Sequence, residues 1–148
     1  MNRVMLCALV SLGLFSTLAT VSAQEFTGEG ERAGTKVVVR DLKRDDGGTI
    51  TLRFRVVTAN EQPAQLYQLV GGFLDSKVHL IDAANKKKYL VIKDSSNKCE
   101  CTELRGSVAK DAPVNLWAKF PAPPATVQKI TVVVSGFEPI ESVPITER

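Results

Sequence analysis

The chain has 148 residues, of which 44% are hydrophobic and 24% charged, and its mean hydropathy is +0.00. That balance excludes a collagen-like chain, a disordered polyelectrolyte and a multi-span membrane protein, and leaves one ordinary domain. The 19 Lys and Arg against 16 Asp and Glu give a net charge of +3, too small and too mixed for the footprint of a nucleic-acid binder.

Arg3 precedes an apolar stretch from Val4 to Val21, which ends at the small-residue site Val21-Ser22-Ala23. This predicts a secretory signal over residues 1–23, cleaved after Ala23, so that the protein is exported to the periplasm or beyond and keeps no transmembrane segment. The competing reading is a retained anchor helix, but Ser11, Gly13, Ser16, Thr17 and Thr20 dilute a run barely long enough to span. Cleavage removes Met1, Met5 and Cys7 and leaves a methionine-free chain with His79, Cys99 and Cys101 as its ligand-type side chains. Residues 24–34 are polar, glycine-rich and without period, which predicts a flexible lead-in to a domain over residues 35–148.

From Thr35 onward the pattern is almost entirely period two. Val37 and Val39 alternate with Lys36, Val38 and Arg40, and Asp45-Asp46-Gly47-Gly48 supplies residues that tolerate positive φ in a turn. Thr49 to Thr58 puts Ile50, Leu52, Phe54 and Val56 on one face and Thr51, Arg53, Arg55 and Val57 on the other, a half-buried strand. Ala64 to Phe73 is ambiguous, because Leu66, Leu69 and Val70 fit a helical face that Gly71-Gly72 stops. Val78 to Asp82 and Lys88 to Lys93 read as a hairpin around Ala83–Lys87. Val114 to Phe120 is a strand ended by Pro121, which has no N–H for a ladder. Pro121, Pro123 and Pro124 make a stiff corner, Val127 to Ser135 is the last long strand, and Gly136-Phe137-Glu138-Pro139 turns into an extended tail. About seven short strands spaced by turn residues predict an all-β, antiparallel two-sheet sandwich.

Cys99 and Cys101 are the most informative pair. In an exported protein they are expected to oxidise, yet residues two apart in a flat strand have Cα atoms about 6.6 Å apart, near the upper limit for a disulfide. A bridge therefore needs a bend, and it closes too small a loop to stabilise much. Free thiols, a redox-active pair and a metal site are the alternatives, the last requiring two further ligands. His79 is the single histidine, and with no Gly-x-Ser-x-Gly elbow no nucleophile and orienter can be assigned around it. Asp45-Asp46 is explained by its turn, and Glu138 and Glu141 lie in a proline-containing tail.

Among basic residues, Arg53 and Arg55 share one strand face with Arg40 adjacent, and Lys86, Lys87 and Lys88 sit at a hairpin tip. Their plain role is solubility and protection of a sheet edge; the sharper one is contact with an anionic envelope polymer or lipid head group. Trp117 alternates with Leu116 and Ala118, which leaves it either between two sheets or exposed as a stacking platform.

The segments Lys87-Lys88-Tyr89-Leu90-Val91-Ile92-Lys93-Asp94, Cys99-Glu100-Cys101, Leu116-Trp117-Ala118-Lys119-Phe120-Pro121-Ala122-Pro123-Pro124 and Gly136-Phe137-Glu138-Pro139-Ile140, with Val143-Pro144-Ile145, complete the pattern. Over residues 35–145 it resembles a poorly characterised family of exported bacterial immunoglobulin-like domains. The resemblance implies an immunoglobulin-like sandwich and brings no catalytic residues. The expectation is therefore a non-enzymatic, cofactor-free binding or accessory module whose partner is a protein or envelope polymer. The competing class is a thiol redox or metal-handling protein using Cys99 and Cys101.

Overall fold

A computed structural model describes residues 24–147. The expected signal over residues 1–23 lies outside the described residues. Within them the fold is all-β and antiparallel, with two short helices.

The first sheet has the order β1-β2-β3-β8 and consists of β1 (Phe26–Glu29), β2 (Thr35–Asp45), β3 (Thr49–Thr58) and β8 (Val114–Pro121). Between these in the chain come β4 (Ala64–Gln65), α1 (Leu66–Val70), α2 (Leu74–Lys77), β5 (Val78–Asp82), β6 (Lys87–Leu90) and β7 (Ser107–Val108), and after them β9 (Lys129–Val134) and β10 (Ile140–Pro144). The second sheet runs β10-β9-β5-β6, and β4 and β7 form a separate pair.

Period-two patterning does what it should. Ile50, Leu52, Phe54 and Val56 of β3 are buried, as are Leu116, Ala118 and Phe120 of β8, and they join Val78, Leu80, Ile130, Val132 and Val134 of the second sheet in one core cluster. Each such large side chain contributes about 1.5–3 kcal/mol by leaving water. The β2–β3 hairpin turns through Gly47 and Gly48, both at positive φ, a conformation open to glycine without a Cβ penalty. The ambiguous segment resolves into α1, whose Leu66, Leu69 and Val70 are buried. Gly136, also at positive φ, is required for a second reason: a Cβ there would lie 2.0 Å from the Leu69 carbonyl oxygen.

One expectation is overturned. Residues 24–34 are not a free lead-in, because Phe26–Glu29 pairs with Val39–Lys36 as β1. The glycines that suggested flexibility permit close approach instead: the Glu138 N–H donates to the Glu29 carbonyl at 2.8 Å and the Glu31 N–H to the Gly136 carbonyl at 2.9 Å, which ties the β1 edge to the second sheet. Arg44 fixes the proline corner. Its guanidinium donates to the carbonyls of Pro123 (2.6 Å), Pro124 (3.0 Å) and Val127 (3.0 Å), and its Nε lies 3.2 Å from Glu147.

Candidate functional site

Residues opposite one another in adjacent strands share a face, so the register defines the outer surface of the first sheet row by row. Lys43, Thr51 and Lys119 form one row, Asp41, Arg53 and Trp117 the next, and Val38, Arg55 and Asn115 the third, across β2, β3 and β8. The register of β2 slips between Val39 and Asp41, leaving Arg40 as an extra residue. Such a bulge re-aims a side chain, and here it adds an exposed cation beside the Arg53 row. Arg40, Asp41, Arg53, Arg55, Asn115 and Trp117 line a groove of about 470 Å³ together with Phe54, Pro113 and Leu116.

The charges in this groove are unevenly matched. Arg53 lies 3.1 Å from Asp41 and Arg55 lies 3.4 Å from Glu25, whereas no carboxylate within ion-pair distance of Arg40 is found among the described residues. Arg55 Nε is buried with no hydrogen-bond partner among the described residues. Trp117 is 38% exposed. The inter-sheet position considered for it is therefore incorrect: with Leu116, Ala118 and Phe120 turned inward, alternation sends the indole out among arginines.

Lys86, Lys87 and Lys88 do not join this groove. Lys86 closes the β5–β6 turn at φ 53, and Lys87 and Lys88 pair with Asp82 and Ile81 in the second sheet. The five basic residues read as anionic contacts thus divide between two sheets, and Arg53 and Arg55 are the ones that share a concave surface with an aromatic ring.

A second groove forms around the cysteines. The Asp94 carboxylate accepts the N–H groups of Ser96 (2.8 Å) and Lys98 (2.9 Å), which closes a turn and returns the chain so that Cys99 pairs with Lys93. Cys101 then pairs with Ala118 of β8. The bend at Glu100 brings the two Cα atoms to 5.3 Å and the sulfurs to disulfide bonding distance, shorter than a flat strand allows, as expected for a bridged pair. The segment is locked by main-chain bonds of 2.9 Å from Glu100 N–H to Ile92, from Lys119 N–H to Glu100 and from Thr102 N–H to Trp117. It seals the β8 edge. Cys99 and Cys101 line a groove of about 490 Å³ with Phe73, Leu74, Leu104 and the polar residues Asp75, Thr102, Glu103 and Arg105. Phe73 is 70% exposed, and its ring meets Tyr67 edge-on at 5.6 Å.

Sequence reasoning missed Phe73 and Tyr67 as surface features. The available hint was phase: Tyr67 falls off the Leu66–Leu69–Val70 stripe of α1. His79 lines neither groove. It is half-buried in β5 between Leu90 and Val133, and burial, with the Lys88 ammonium second, lowers its pKa from the ordinary 6.5. Asp45 accepts the Thr51 hydroxyl, and Glu138 and Glu141 are exposed. Among the described residues no group of three His, Cys, Asp or Glu side chains is placed to hold a metal ion, and no helix is long and apolar enough to cross a membrane. Comparison with protein-family models, curated proteins and solved structures returned no match.

Proposed function

We propose that this protein is an exported binding module of the bacterial envelope, built as an immunoglobulin-like sandwich, whose first sheet holds an anionic polymer on its outer face and does no chemistry on it. One observation carries this reading: Arg40, Arg53 and Arg55 share a groove with the exposed indole of Trp117. A guanidinium fork matches a carboxylate or phosphate in two parallel hydrogen bonds. An indole face gives a flat apolar platform beside it. The two together favour a ligand that alternates a ring with an acid group, such as a uronate-type polysaccharide. The scaffold beneath is rigid, because Phe54 and Leu116 of the same strands are core residues, so the site is formed before the ligand arrives.

Co-sedimentation with insoluble polygalacturonate tests the proposal, with the methyl-esterified polymer as the neutral comparator. The protein is expected to pellet with the acid form at low salt, to be released as salt screens the charges, and to ignore the ester. Equal binding to both forms, or to neither, rejects it.

A further inference from the structure

The bridge between Cys99 and Cys101 does little for the fold. Its loop contains a single residue, and the stabilisation from cross-linking grows with loop length. The segment is also held by main-chain bonds to Ile92, Trp117 and Lys119, none of which involves a sulfur. Both cysteines are half-buried and not sealed in the core, and both line a groove with Phe73, whose ring packs edge-on against Tyr67; these are the most exposed aromatic rings among the described residues. A strand-locked disulfide beside an uncovered apolar rim is an arrangement that a polypeptide thiol can reach and dock against.

We propose that this groove is a thiol–disulfide exchange site for a cysteine-bearing polypeptide, with the Phe73–Tyr67 pair holding an apolar residue next to the partner's cysteine. In the first step a partner thiolate attacks one sulfur of the Cys99–Cys101 bridge. That bond breaks, a mixed disulfide forms, and the other cysteine leaves as a thiolate that takes a proton from water. A second partner thiolate then attacks the mixed disulfide, closing a disulfide in the partner and releasing the remaining cysteine. Two partner thiols are oxidised to one disulfide, and one disulfide of this chain is reduced to two thiols, with no other oxidant in the turnover. The main-chain bonds hold the dithiol in place for re-oxidation by an envelope disulfide. The site is independent of the polymer-binding face, and either can fail without the other.

The probe is a reduced peptide carrying two cysteines flanked by leucine, mixed with the oxidised protein, quenched with an alkylating agent and read by intact mass. The peptide is expected to become oxidised while the protein gains two alkylation sites, and the Cys99→Ser/Cys101→Ser double variant to leave the peptide reduced. Phe73→Ala removes an exposed ring and should lower the ratio of the peptide rate to the dithiothreitol rate about tenfold. The proposal is overturned if the bridge resists the peptide, or if Phe73→Ala affects peptide and dithiothreitol alike or affects neither.

Discussion

Two grooves of similar size adjoin β8, and they are made in opposite ways. The arginine groove rests on side chains projecting from long paired strands, while the cysteine groove rests on coil between β6 and β7 and on the N-terminal end of α2. The first is a sheet face, whose chemistry repeats with the pleat. The second is a stitched edge, whose shape depends on turns and main-chain bonds. A sheet face suits a repeating ligand, and a stitched edge presents one particular bond.

Truncating the shared foundation should damage both grooves, and it is the largest effect. Phe120 is fully buried in the core cluster, and Phe120→Ala is expected to cost about 3–5 kcal/mol, measured by denaturant unfolding. Removing the bridge separates the two. The Cys99→Ser/Cys101→Ser variant should lose only about 1–2 kcal/mol and keep its polymer binding; a loss near the Phe120→Ala value would mean that the disulfide is a fold-holding staple. On the other groove, Arg40→Ala should weaken binding of an acidic polymer about fivefold to tenfold at unchanged unfolding midpoint, because the side chain is exposed and has no ion-pair partner among the described residues.

The smallest effect concerns neither groove. Burial and the Lys88 ammonium depress the pKa of His79, so the unfolded chain takes up the proton more readily than the folded one. Its contribution is fully present above the ordinary value of 6.5 and is lost as pH falls below that toward the lowered folded value. His79→Gln should flatten the urea midpoint over that interval, and polymer binding and thiol exchange should not follow it.

The same contrast explains what could be read from the chain alone. The β3 residues announce their faces through strict alternation, which by itself places Arg53 and Arg55 outward. Arg40 was harder, since the spacing from Val39 to Leu42 breaks the alternation and only the bulge explains it. Trp117 was open to two readings because a large ring fits a core or a surface, and its neighbours Leu116 and Ala118 decide the matter once their inward direction is known. Residues 24–34 read as a tether because their glycines carry no hydrophobic period, yet Phe26–Glu29 pairs with Lys36–Val39 of β2, and the further partners, Gly136 for Glu31 and Glu138 for Glu29, lie over a hundred residues away. Phe73 and the cysteines meet only through tertiary folding, which no local period encodes. The lysines at the hairpin tip were locally legible, but the sheet they belong to was not.

The most direct test uses the chain's single tryptophan, which stands inside the arginine groove. In a titration with soluble polygalacturonate at low salt, emission from Trp117 should shift and saturate. Arg53→Ala should move the midpoint to higher ligand, and the methyl ester should leave the spectrum unchanged. Saturable binding by another readout with Trp117 emission unaltered, or an identical response to acid and ester, would contradict a site built from arginines around that ring.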